Sequence, residues 1–153
     1  MNPGVGQLGL VIDRRIPGTP TLVFRALTDP GLYARWMGPD GSETVVDEMD
    51  VRPGGALKFR VRFPGGPEFA LGGTYREVDP PRRLVHTWAL VGDPAETTVT
   101  FELSEELGQT RILLTHVGFA DRDDMGQNDA GWQHQLDRLE SLLVSIDAEE
   151  VHA

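Results

Sequence analysis

The 153-residue chain contains no cysteine, which excludes disulfide bonds, thiolate metal ligands and a cysteine nucleophile. Basic residues are also scarce, because 14 Lys and Arg stand against 24 Asp and Glu, a formal net charge of −10. An acidic surface repels phosphate backbones and anionic headgroups. We therefore expect neither nucleic acid nor a membrane as a partner.

Long apolar runs are absent as well, since no stretch approaches the roughly 20 residues that span a bilayer. Residues 1–7 contain neither the basic segment nor the apolar segment of a signal peptide. We expect a cytoplasmic protein with one domain over residues 8–146 and flexible tails at 1–7 and 147–153. A homodimer is an open alternative to a monomer.

Recognisable catalytic and cofactor motifs are missing too. No H-x-x-x-H or H-E-x-x-H pair occurs among the four histidines, and there is no G-x-S-x-G nucleophile elbow. Residues 4–9 match G-x-G-x-x-G in form, but a predicted strand follows them where a dinucleotide site needs a helix. We expect no metal, no cofactor and no catalytic set.

What the sequence does contain is a series of segments in which apolar and polar residues alternate, as in half-buried antiparallel strands. In the clearest segment, residues 57–63, four apolar side chains point one way and Lys58, Arg60 and Arg62 the other. The other predicted strands cover 8–16, 44–51, 69–78, 84–90, 99–103 and 112–116. Short Gly- and Pro-containing turns between them favour a meander of about six or seven strands.

Helical signals occupy two places. Thr19-Pro20 and Asp29-Pro30 each combine a capping residue with a proline, which predicts two short helices after the first strand. Apolar residues then recur at three- and four-residue steps from Trp132 to Ile146, which predicts one long C-terminal helix. We expect an α+β fold in which a curved antiparallel sheet wraps around this helix, with the pair at 72–73, both glycine, allowing the bend.

Several short motifs follow one another with ordinary spacing. They are W-x-x-P at 36–39, D-x-R-x-G-G at 50–55, a hairpin sequence at 73–80, T-H-V-G-F at 115–119 and G-W at 131–132. Together they resemble the SRPBCC (START-like) superfamily, and most closely its branch named after the activator of the heat-shock-protein-90 ATPase. The resemblance implies a helix-grip fold with a cavity between the sheet and the long helix. It does not imply one activity, because the superfamily includes lipid and hormone carriers, polyketide cyclases and oxygenase domains.

We therefore predict a small-molecule-binding domain whose internal hydrophobic cavity takes an apolar or aromatic ligand. One alternative is a cyclase- or aromatase-like enzyme acting in the cavity, and another is a chaperone-interacting stress-response module. The predicted ligand-binding residues, taken from the inner faces of the strands and helices, are Trp36, Phe59, Phe69, Tyr75, His86, Trp88, His116, Trp132, Gln135 and Leu136.

The polar members of this set admit two interpretations. His86 and His116 alternate with apolar residues, so each is either a core histidine bonded to a backbone carbonyl or to water, or a cavity group that orients a ligand. Tyr75 and Gln135 present the same choice. The tryptophans can be core residues and flat cavity walls at once.

Overall fold

Seven strands and three helices follow one another in the described part of the chain. The computed structural model describes residues 8–93 and 95–152, with side chains as far as Ile146, so the predicted tail 1–7 lies outside the described residues. The elements are β1 (Leu8–Ile16), α1 (Pro20–Thr28), α2 (Pro30–Trp36), β2 (Glu43–Met49), β3 (Ala56–Arg62), β4 (Glu68–Asp79), β5 (Arg83–Leu90), β6 (Thr97–Glu106), β7 (Gln109–Phe119) and α3 (Arg122–His152).

All seven strands form one antiparallel sheet in the order β1-β7-β6-β5-β4-β3-β2. β2 to β7 are a meander, and β1 pairs with β7 at the far edge. The buried face of α3 repeats at three- and four-residue steps, with Trp132, Leu136, Leu139 and Leu143 almost fully enclosed. The predicted α+β helix-grip fold is confirmed.

The alternation in β3 places its side chains as predicted. Leu57, Phe59 and Val61 are buried in the core. The cations on the opposite face each lie near a carboxylate of β2: Lys58 near Glu48 at 3.8 Å, Arg60 near Asp47 at 2.8 Å and Arg62 near Glu43 at 3.4 Å. At β3 the inner face of the sheet is therefore apolar, and its outer face carries charge pairs with β2.

Both short helices begin at the predicted capping residues. The Thr19 hydroxyl accepts a hydrogen bond from the Leu22 N–H at 3.2 Å, and the Asp29 carboxylate accepts one from the Gly31 N–H at 2.8 Å. A proline follows each cap at the first helical position, where its missing N–H removes no intrahelical bond. These helices cover one end of the sheet and lead the chain into the loop before β2.

The two glycines of β4 lie where neighbouring strands approach closely. A Cβ on Gly72 would lie 2.3 Å from the Leu57 carbonyl oxygen of β3, and one on Gly73 would lie 1.8 Å from the Thr87 carbonyl oxygen of β5. The register of β4 against β5 also shifts between Tyr75 and Glu77. Only glycine fits here, so this pair permits the local bend of the sheet.

None of the helices in the described part of the chain combines the length and the apolar character that crossing a bilayer requires. The backbone of 147–152, which the sequence assigned to a flexible tail, continues α3 to His152. Residue 153 lies outside the description.

Candidate functional site

A cleft of about 570 Å³ opens between the inner face of the sheet, the loop after α2 and the first turns of α3. Most of its walls are aliphatic or aromatic. Its lining residues are Met37, Gly38, Pro39, Phe59, Val61, Phe63, Phe69, Leu71, Trp88, Leu90, Gln127, Asn128, Ala130, Gly131, Trp132, His134 and Gln135.

The structure brings half of the predicted ligand-binding residues together on this cleft. Those that line it are Phe59, Phe69, Trp88, Trp132 and Gln135. Those that lie in the surrounding core instead are Trp36, Tyr75, His86, His116 and Leu136. Alternation assigns a side chain to the inner face of the sheet, but it does not say which inner-face residues the helix covers.

An aromatic floor forms from three distant parts of the chain. Phe59 of β3 lies 5.6 Å from Trp88 of β5, and Trp88 lies 5.3 Å from Trp132 of α3, measured between ring centroids. Both ring pairs are tilted, at 50° and 46°, so neither is a face-to-face stack. The floor presents ring faces and edges suited to an apolar or aromatic molecule.

The mouth of the cleft is also apolar. Phe69 is 44% exposed and Leu90 is 45% exposed, although both line the cleft. Phe63 packs edge-on against Phe69 with centroids 6.3 Å apart. Large apolar side chains left open to solvent at the edge of a concave surface are typical of a binding site.

Two parts of the cleft wall were not predicted from the sequence. One is the loop from Met37 to Pro39, which the W-x-x-P motif signals only as a helix end. The other is the first turns of α3, where Gln127, Asn128, Ala130 and Gly131 line the cleft. These small and polar residues do not show the apolar repeat of a helix. The sequence pattern therefore indicates the inner face of α3 only from Trp132 onward.

Hydrogen bonds from α3 hold the loop in place. The Gln135 side-chain oxygen accepts from the Gly38 N–H at 3.0 Å, while its amide nitrogen donates to the Gly131 carbonyl at 3.2 Å. Arg138 donates to the Gly38 carbonyl, and His134 Nε2 accepts from the Asp40 N–H at 3.2 Å. Gln135 therefore contributes surface to the cleft while both ends of its amide are occupied.

His116 belongs to a chain of hydrogen bonds that fixes its tautomer. Trp132 Nε1–H donates to His116 Nδ1 at 3.0 Å, so the imidazole proton resides on Nε2 and is donated to Thr97 Oγ1 at 2.6 Å. The Thr97 hydroxyl donates in turn to the Trp88 carbonyl at 3.0 Å. Burial lowers the pKa of His116 to about 3, with a smaller contribution from the charge on His86. The ring is neutral and its two nitrogens are both engaged.

His86 also has the partner expected of a core histidine. Its Nδ1–H donates to the Thr87 carbonyl at 2.8 Å, which leaves Nε2 as an acceptor. Burial lowers the pKa of His86 to about 4, and the backbone hydrogen bond opposes this only in part. Its ring packs edge-on against Tyr75 at 5.8 Å.

Two buried tyrosine hydroxyls, those of Tyr33 and Tyr75, have no hydrogen-bond partner in the described part of the chain. Burial raises the pKa of both phenols, so both are neutral donors. Leaving such a group unsatisfied costs about 1–3 kcal/mol. Buried polar groups in native proteins are rarely left without a hydrogen-bond partner, so each of these hydroxyls calls for an explanation.

Potential metal ligands do not gather in groups of three or more among the side chains that the structure describes. The absence of a metal or cofactor stays a prediction. The side chains that line the cleft are aromatic rings, aliphatic groups and a few polar groups.

A curved antiparallel sheet that grips one long helix beside an apolar cleft defines a helix-grip protein of the START-like class. Residues 17–144 match the model of the family described as activator of Hsp90 ATPase homolog 1-like protein, and the chain belongs to this family. A comparison with curated proteins finds no match.

Solved structures of similar proteins have the same fold. Protein CV1439 from Chromobacterium violaceum is 30% identical with a TM-score of 0.82, over 88% of this chain and 96% of that one. Protein NE0264 from Nitrosomonas europaea is 26% identical with a TM-score of 0.80, over 90% and 95%. CalU16 from Micromonospora echinospora is 26% identical with a TM-score of 0.66, over 94% and 80%.

Proposed function

We propose that this domain binds a small apolar or aromatic molecule in the cleft. The observation that carries the proposal is the cleft itself, because its volume of about 570 Å³ and its aromatic floor suit a compact apolar ligand. Small-molecule sites typically measure about 300–1,000 Å³ and combine apolar walls with a few polar groups. Here Gln127, Asn128 and His134 supply polar groups to the wall of the cleft.

Binding fits this geometry better than catalysis. The enzyme alternative relies on Tyr75, His86, His116 and Gln135 converging on one ligand. Of these four, Gln135 alone lines the cleft, and its amide already bonds to Gly38 and Gly131. The two imidazoles are also weak bases, because burial lowers the pKa of His86 to about 4 and that of His116 to about 3. The net charge of −10 and the lack of cysteine support a cytoplasmic setting without polyanionic partners.

The proposal can be tested with a substitution that fills the cleft and leaves the fold intact. Gly131 lines the cleft on α3, and a Cβ there would meet only the Gln135 amide nitrogen at 3.9 Å. Gly131→Leu should therefore occupy ligand space and weaken binding of the neutral fluorescent probe N-phenyl-1-naphthylamine by about tenfold or more. Replacing a helical glycine should also keep or raise the melting temperature.

Gly126→Leu is the matched control, since Gly126 lies on the same helix with nothing within 4 Å of its added Cβ and does not line the cleft. It should bind the probe like the wild type. Native mass spectrometry of freshly purified protein should show a co-purified small molecule that Gly131→Leu excludes. Equal probe affinity in all three proteins, or no probe binding by the wild type, would show that the cleft is not a binding site.

A further inference from the structure

The two tyrosines with unpartnered hydroxyls pack next to the aromatic floor of the cleft, Tyr33 directly and Tyr75 through His86. Tyr33 is 3% exposed and its ring packs edge-on against Phe59 at 5.5 Å. Phe59 also lines the cleft and contacts Trp88. One aromatic ring thus separates the Tyr33 side chain from the space proposed for the ligand.

Tyr75 reaches the same region from the neighbouring strands. It is 1% exposed, and it pairs across β4 and β5 with His86. The His86 ring lies 5.9 Å from Trp88, which is again part of the cleft floor. A charge on Tyr75 would raise the pKa of Tyr33, so the two phenols lie within electrostatic reach of each other.

We infer that the cleft continues past Phe59 into a polar subsite, formed by the hydroxyls of Tyr33 and Tyr75 and by His86 Nε2, which takes a neutral carbonyl group of the ligand. This inference rests on the ligand-binding function proposed above and specifies the chemistry of the ligand. Because Phe59 packs between the cleft and Tyr33, the inference requires its side chain to rotate when the ligand enters. The ligand is then an apolar ring or chain that ends in a ketone, ester or amide oxygen.

The hydrogen-bond donors and acceptors of the proposed subsite favour a carbonyl group of the ligand. Two neutral phenols offer two O–H donors, and a carbonyl oxygen has two lone pairs to accept them. His86 Nε2 is an acceptor because Nδ1–H is donated to Thr87, so it suits a neighbouring amide N–H or hydroxyl of the ligand. A carboxylate is disfavoured, since the negative charge of Asp50 already acts on Tyr75 by raising its pKa.

The experiment compares two ligands of nearly equal shape, 2-acetylnaphthalene and 2-isopropylnaphthalene, which differ by a carbonyl oxygen in place of a methyl group. Calorimetric titration of the wild type, Tyr33→Phe and Tyr75→Phe gives the ratio of the two affinities in each protein. The affinity for 2-acetylnaphthalene divided by that for 2-isopropylnaphthalene should fall by roughly five- to tenfold in each variant. This is the loss expected for one hydrogen bond. The infrared carbonyl stretch of bound 2-acetylnaphthalene should lie at lower frequency in the wild type than in either variant.

Thermal unfolding of the free proteins separates this role from a structural one. Because each substitution removes an unsatisfied buried hydroxyl, both variants should melt at the same temperature as the wild type or higher. An unchanged affinity ratio in the three proteins, whether or not the variants melt lower, would overturn the subsite and leave the proposed binding function standing. Failure of both naphthalenes to bind the wild type would overturn the two together.

Discussion

The imidazole of His116 connects two tryptophans of the cleft floor. It accepts from the Trp132 N–H and, through Thr97, reaches the backbone of Trp88. Because both nitrogens are engaged and the ring is buried, protonation would break the bond from Trp132 and place a charge in the core. The same neutral state holds for His86, so the shape of the cleft depends on two uncharged histidines.

The free energy of unfolding should therefore decrease as the pH is lowered, over a pH range set by these two residues. The folded pKa values, about 4 for His86 and about 3 for His116, lie below the ordinary value of about 6.5, so the unfolded chain takes up protons first as pH falls. Their contribution is complete above about pH 6.5 and is lost as pH falls toward the folded values. Urea unfolding should show a loss of about 3–4 kcal/mol between pH 7 and pH 5.

Carboxylates act outside this window. Hydrogen bonds from Arg111 and Arg60 lower the pKa of Asp13 and Asp47, so those groups lose their contribution only below about pH 4. An unfolding free energy that stays constant from pH 7 to pH 5 would contradict the neutral buried state of both histidines.

The sequence predicted that His86 and His116 face inward, and it could not choose between core and cavity. Alternation along a strand determines the face of a side chain, whereas the role of an imidazole depends on what its nitrogens meet. For His116 those partners are Thr97 and Trp132, which are 19 and 16 residues away. No local pattern indicates such a contact.

At the scale of elements, glycine has opposite roles in β4 and in α3. Gly73→Ala would place a Cβ against the Thr87 carbonyl oxygen, a backbone atom that also accepts from His86. We expect a loss of at least about 3 kcal/mol, the upper part of the range for overpacking. Gly126→Ala on α3 meets open space and should raise stability by about 0.5–1 kcal/mol. Chemical denaturation of the two variants measures both values.

Equal stabilities for the two alanine variants would show that β4 does not approach β5 as closely as described.

The strands and short helices were predictable because alternation, capping residues and prolines act locally. The cleft wall on α3 was not, because Gln127, Asn128 and Gly131 line it through the position of the helix over the sheet. That position is a tertiary property.

At the scale of the whole molecule, much of the positive charge on the described side chains is paired with carboxylates. Arg60 bonds to Asp47, Arg111 to Asp13 and Arg83 to Glu102, all at 2.9 Å or closer. Together with the net charge of −10, this predicts no binding to duplex DNA at physiological ionic strength. A fluorescence-anisotropy titration that revealed a salt-sensitive micromolar complex would contradict the prediction.

The tilted contact between Trp88 and Trp132 gives the molecule an optical signature. Two indoles with centroids 5.3 Å apart and planes at 46° are close enough, and skewed enough, for their electronic transitions to couple. The far-ultraviolet circular dichroism should then contain a paired positive and negative band that disappears in Trp88→Phe. Because both rings line the cleft, a molecule that enters it changes their separation or angle, and occupancy could be followed by circular dichroism without any label.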